Sequence, residues 1–152
     1  MKYVKLIAKF IWVLPFNLLF GVIPLLIGWY WLRFEGVISS GSMVFTPKPG
    51  SWLAKKWGAT NWAGFAWCPV AMFLYTTLLP STIRHEQQHQ RQQVLFGVFF
   101  YALYTWSLFA LWLEAKISPE LITGNKTPYM HSYHANIFER EAYEVQDANT
   151  RV

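Results

Sequence analysis

The sequence predicts an α+β membrane protein, and three observations predict it. Of 152 residues, 54% are hydrophobic and only 14% are charged, where a soluble domain carries about a quarter charged. Two uncharged runs, 10–32 and 94–113, are each long enough to cross a hydrocarbon core. Between them lie a β-type stretch and a polar helical stretch containing His85-Glu86-Gln87-Gln88-His89. The expected order is an N-terminal membrane helix or helical hairpin and a small β-rich region. A long helix carrying the two histidines then runs into a second membrane segment, and a C-terminal glutamate helix follows. Residues 1–35 form the N-terminal membrane segment, and 36–152 form the metal-binding region, which includes the membrane segment 94–113.

Lys2, Lys5 and Lys9 precede the first run, and Trp29, Tyr30, Trp31 and Arg33 close it, as aromatic belts and basic anchors do at bilayer interfaces. Pro15, Asn17, Gly21 and Pro24 interrupt the run, so it kinks or folds back rather than crossing straight. The net charge of +5 is scattered, with no basic run longer than Lys55-Lys56. That pattern suits anionic lipid headgroups and argues against nucleic acid. A single cysteine, Cys68, excludes an internal disulfide and a cysteine-rich zinc cluster.

Val37-Ile38 and Met43-Val44-Phe45 flank Ser39-Ser40-Gly41-Ser42, which predicts a β-hairpin. Pro47-Lys48-Pro49-Gly50 is a turn, Trp52–Trp57 an interfacial segment, and 62–75 two or three further short strands. Ser81 or Thr82 is the expected N-cap of the histidine helix. That helix continues into 94–113 as one element unless it breaks near Gly97. Ser118-Pro119-Glu120 opens a short helix, and Pro128–His134 is a loop.

On a helix, positions i and i+4 share one face, so His85 and His89 can aim both imidazoles at one metal ion. Glu86 then reaches the open coordination position and can act as general base toward a metal-activated water. A hydrolytic zinc site needs a third protein ligand. Gln92 and Leu95 stand where a metzincin would have its glycine and third histidine, so the ligand must come from a later helix. Asn136 to Glu139 has capping-box spacing, which would occupy Glu139 at the helix start. Phe138, Glu141, Ala142 and Val145 then form an inward stripe, and a carboxylate on that stripe needs a cation. Glu141 is therefore the expected third ligand, with Glu139 as the alternative if the two roles are exchanged. Tyr133 and His134 are candidate oxyanion donors.

The segments Arg84–His89 with Arg91-Gln92, and Tyr133–Tyr143, resemble a group of small bacterial membrane proteins. Those carry a "RHExxHxRQ" helix and a closing "(D/N)NPFEREAY" helix. More widely, the arrangement is similar to the glutamate-zincins (gluzincins) pared to a minimum. The resemblance covers roughly residues 81–145. It implies a minimal zincin-like fold in a bacterial-type plasma membrane, with Zn2+ held by His85, His89 and a glutamate of the last helix. Glu86 would be the base, and a peptide or protein the substrate. Ile137 stands where the group tends to have proline. Val145 stands where many gluzincins place an aspartate that orients a histidine ligand, so that support must come from elsewhere. The alternative is a non-catalytic membrane protein whose metal site is structural or binds a partner, which a fourth protein ligand such as His134 would favour.

Overall fold

The computed structural model describes residues 2–12, 14–16, 18, 26, 28–58, 63–75, 79–122 and 127–148. Helix α1 (Lys2–Trp12) exposes Tyr3, Val4, Ile7 and Ile11 and turns Leu6 toward the sheet core. Of the expected crossing over 10–32, residues 13, 17, 19–25 and 27 lie outside the described residues.

A four-stranded sheet follows, built from β1 (Leu32–Val37), β2 (Met43–Pro47), β3 (Gly64–Cys68) and β4 (Ala71–Leu74). β1 and β2 form the expected antiparallel hairpin, with Leu32 opposite Pro47 and Val37 opposite Met43. The first strand begins at Leu32, inside the stretch read from sequence as membrane segment. Two further strands stand where two or three were expected. They pair antiparallel with each other, while β4 also lies parallel to β2, giving the order β1-β2-β4-β3. Parallel neighbours need a crossover connection. Here helix α2 (Trp52–Gly58) and β3 supply it, so β3 ends as an outer strand.

Side chains alternate across β2 and β4 as the pleat requires. Val44, Met72 and Leu74 face Ile83 of the following helix, while Phe45, Ala71 and Phe73 face Trp57 of α2. On that second face Phe73 stacks on Phe45 and Phe65, with ring centroids 5.6 and 5.0 Å apart. Such aromatic pairs add about 0.5–1.5 kcal/mol each beyond their buried area.

Helix α3 (Pro80–Phe96) carries the two histidines along the outer edge of β3. It starts on Pro80, with Leu79 at the N-cap and no capping side chain, so neither Ser81 nor Thr82 caps it. Proline at N1 needs no cap of its own, because its missing N–H is one of the donors a helix start leaves unpaired. An edge strand presents unpaired backbone groups, and glutamines of α3 satisfy them. Gln90 Nε2 donates to Cys68 O (3.2 Å) and Gln93 Nε2 to Ala66 O (2.9 Å), while the Tyr101 hydroxyl donates to Trp67 O.

The run Pro80–Ile117 is long and apolar enough to cross a membrane by length and composition, and only 6% of its most apolar window is buried. It is not one straight helix. Positions 89 and 104 would be about 22 Å apart along a straight axis, yet the His89 and Tyr104 rings are 6.3 Å apart. The turn is made at Gly97, whose φ of 56° is open to glycine at little cost, followed by a 3-10 turn over Gly97–Phe99. Helix α4 (Phe100–Ile117) therefore leaves at an angle to α3.

Beyond the short 3-10 turn Pro119–Leu121 come α5 (Pro128–Ala135) and α6 (Ile137–Asp147). The stretch expected as a loop is thus a helix. Thr127 caps it by accepting from Met130 N, with Pro128 at N1, a start signal that the reading from sequence passed over. α5 packs on α4, and α6 packs on α3.

Candidate metal centre

His85 and His89, one turn apart on α3, present their Nε2 atoms 3.2 Å from each other. The carboxylate that meets them is that of Glu139. Its Oε2 lies 3.3 Å from His85 Nε2 and its Oε1 3.4 Å from His89 Nε2, and all three ligand atoms lie within 4.8 Å of one another. All three residues are buried.

The expectation of Glu141 is corrected by this geometry. Glu141 is exposed, and its Oε2 accepts from Gln92 Nε2 at 2.9 Å and from Gln88 Nε2 at 3.4 Å. The capping argument that demoted Glu139 fails at one atom. Asn136 does cap α6, but its Oδ1 takes the N–H of Phe138 rather than that of Glu139, and the Glu139 side chain does not return to the helix start. The inward face is accordingly Phe138, Glu139 and Ala142, rotated from the predicted stripe. Fully buried Ala142 has no side chain beyond Cβ, which lets α6 approach α3 closely.

Glu86 lies on the same helix, 3% exposed, beneath the edge of β3. The backbone N–H of Ala66 donates to its carboxylate, and its Oε2 has no hydrogen-bond partner. A Cβ at Gly64 would stand 2.8 Å from Phe73 O and 3.4 Å from Glu86 Oε1, so glycine there lets strand, neighbour and carboxylate come together. Burial pushes the Glu86 carboxyl up to about 7, with the His89 charge pulling it down and the Glu139 charge adding to the rise. Glu139 goes the other way. Burial raises it, but its contacts with His85 and His89 outweigh that and hold it well below the usual carboxylate range. Burial disfavours charge on His89, yet Glu139 outweighs the penalty and lifts its pKa above the ordinary histidine value.

These residues fit a divalent metal by donor chemistry. Two imidazoles and one carboxylate are a ligand set zinc uses. The buried oxygens Glu139 Oε2 and Glu86 Oε2 are both left without hydrogen-bond partners, a costly state that a cation relieves.

Around the cluster stand three tyrosines. Tyr104 of α4 donates to Glu139 Oε1 at 2.6 Å. Tyr133 of α5 also interacts with Glu139; burial first, then the Glu139 charge, pushes its hydroxyl up, so it stays a proton donor. Tyr143 packs edge-on against His85, with centroids 4.7 Å apart. His134 lies behind Tyr143, at 5.7 Å between centroids, and lines an open cavity of about 660 Å³ with Tyr143, Arg140 and Glu144. Of the residues predicted from sequence, the fold thus gathers His85, Glu86, His89 and Tyr133, leaves His134 one ring away, and turns Glu141 outward.

Two site neighbours were not foreseen. Gln92 sits three residues after His89, a spacing that shares a helix face, and its Oε1 lies 2.9 Å from His89 Nδ1. Tyr104 is hidden in an apolar run, where its hydroxyl was the only signal. Comparison of the chain with family models, with curated proteins and with solved structures gives no match.

Proposed function

We propose that the protein is a membrane-embedded zinc-dependent hydrolase, in its most specific form a metallopeptidase. The observation that carries this reading is the convergence of His85 Nε2, His89 Nε2 and the Glu139 carboxylate, with the unpaired oxygen of Glu86 on the same helix. His85, His89 and Glu139 would hold the ion. Zinc bound there supplies Lewis-acid polarisation of a carbonyl and lowers the pKa of water. Glu86 would accept the proton of the attacking water and return it to the leaving amine. Tyr133 stays protonated and can donate to the developing oxyanion. His134 lines the cavity beside Tyr143 and would contact substrate rather than metal.

The membrane part of the proposal rests on α4. Phe99, Leu103, Trp106, Phe109 and Leu113 lie along one exposed side of it and its 3-10 entry, a continuous apolar surface that lipid would cover. The substrate would be a peptide or protein, and the bilayer a bacterial-type plasma membrane. The alternative, a structural or partner-binding metal, would be favoured by a fourth protein donor such as His134. Among the described residues the cluster has three, and His134 is not one of them.

The test is metal analysis of protein purified in detergent, followed by peptide-library cleavage by wild type and Glu86→Gln. Expected are one equivalent of zinc in both and a rate lower by about 10²–10⁴ in the variant, the usual worth of a general base. Absence of bound zinc, or a Glu86→Gln enzyme as fast as wild type, overturns the proposal.

A further inference from the structure

We infer that Gln92 is the positioning residue of the metal centre: its one carboxamide sets the ring orientation of His89 and the placement of Glu139 together. The inference rests on the metal-binding reading above and extends it to a residue outside the ligand set.

Gln92 Nε2 lies 3.0 Å from Phe138 O and 2.9 Å from Glu141 Oε2. A backbone carbonyl only accepts, so the amide nitrogen must face it. The carboxamide oxygen is thereby turned to His89 Nδ1, 2.9 Å away. That oxygen also only accepts, so Nδ1 must carry the proton. The lone pair available for a metal is then on Nε2, the atom that faces Glu139 and His85. The same amide holds the carbonyl of Phe138, the residue directly before Glu139. One buried side chain thus joins the helix that brings the histidines to the helix that brings the carboxylate.

Gln88 and Arg84 also bond across these two helices, to Glu141 Oε2 and Gln146 O, but among the described residues neither is seen to bond a ring nitrogen of a histidine. His85 Nδ1 is buried and has no hydrogen-bond partner. Val145, one turn beyond Glu141, has no polar group to offer. Glu141 acts as the outer anchor, accepting from Gln92 at the protein surface and keeping the amide from flipping.

The test uses the full chain in detergent micelles, stripped of metal and titrated with Zn2+ against a chelator of known affinity. A parallel titration with Co2+ is followed by visible absorption. Gln92→Leu should weaken zinc binding about 10–100-fold, the usual effect of removing such a partner, and change the cobalt ligand-field bands. Gln92→Glu keeps an acceptor at His89 Nδ1 but loses the donor to Phe138 O and Glu141, so it should bind zinc more tightly than Gln92→Leu and more weakly than wild type, and its metal-free form melts lower. Where the leucine variant does not fold, Gln92→Asn, one methylene short of His89, should show the same weakening. A Gln92→Leu protein that binds zinc within threefold of wild type, or a Gln92→Glu protein as weak as Gln92→Leu, overturns the inference while the metal site stands. Wild-type protein that takes up neither ion overturns the metal-binding reading itself.

Discussion

Two carboxylates two positions apart on α6 have opposite fates, and the reason is angular. On a helix, two positions are about 200° apart, so only one of Glu139 and Glu141 can face α3. The one that does is Glu139, buried between two imidazoles and the Tyr104 hydroxyl. Burying a carboxylate is costly without a partner, and the contacts of Glu139 with His85, His89 and Tyr104 hold its pKa below the usual carboxylate range despite that burial. Glu139→Ala is therefore expected to abolish zinc binding, as His85→Ala or His89→Ala would. Glu141→Ala should retain the ion with affinity reduced less than tenfold. Equilibrium dialysis with zinc quantification checks both, and the reverse order would restore Glu141 as the ligand.

At the scale of elements, the site depends on how closely α3 and α6 meet and on where α3 stops. Ala142 is fully buried at that contact. A larger side chain there would push the helices apart or force strained rotamers, at a cost of about 1–3 kcal/mol. Ala142→Leu is accordingly expected to lower the unfolding midpoint in detergent and to weaken zinc binding, since Glu139 moves with its helix. Unchanged zinc affinity in that variant would mean that the helix separation does not govern the site. The other joint is Gly97, where the chain turns so that Phe100 and Tyr104 come back against His89. Without that turn, the hydroxyl that meets Glu139 would lie far along a straight rod. β3 contributes from the opposite side, its outer carbonyls met by Gln90 and Gln93 and its Ala66 N–H given to Glu86.

At the scale of the whole molecule, the described residues of α4 and α6 present contrasting surfaces. The exposed residues of α4 ahead of Glu114 are uncharged, Trp106 being 70% exposed, and the exposed charges Glu114 and Lys116 lie in its last turn. α6, by contrast, turns Arg140, Glu141 and Glu144 to the surface. The reading that follows is a metal centre roofed by a polar helix and walled by one in contact with lipid. Trp106→Lys puts a charge on the exposed apolar side of α4, at an insertion cost of about 2.5–3.5 kcal/mol if that side lies near a bilayer centre. The expected outcome is a smaller fraction retained in carbonate-washed membranes, while a neutral Trp106→Leu variant is retained like wild type. Equal retention of all three would argue that α4 is covered by something other than lipid.

Local patterns in the chain were sufficient for several of these features. Alternating residues around Ser39–Ser42 specify the β1–β2 hairpin, and His85, Glu86 and His89 share a helix face by spacing alone. The bias toward apolar residues between 94 and 113 likewise needs no partner to be read. Tertiary structure decided the rest, because each remaining feature depends on an angle or a distant contact. The insertion of β4 beside β2 is a long-range pairing that no local pattern encodes. The turn at Gly97 had a visible glycine but no visible direction. Glu139 rather than Glu141 became the carboxylate of the centre because the face α6 buries is set by its packing on α3, and Asn136 capped the helix through a neighbouring amide. Gln92 and Tyr104 are ordinary in sequence and acquire meaning only when folding sets one between His89 and Phe138 and the other against Glu139.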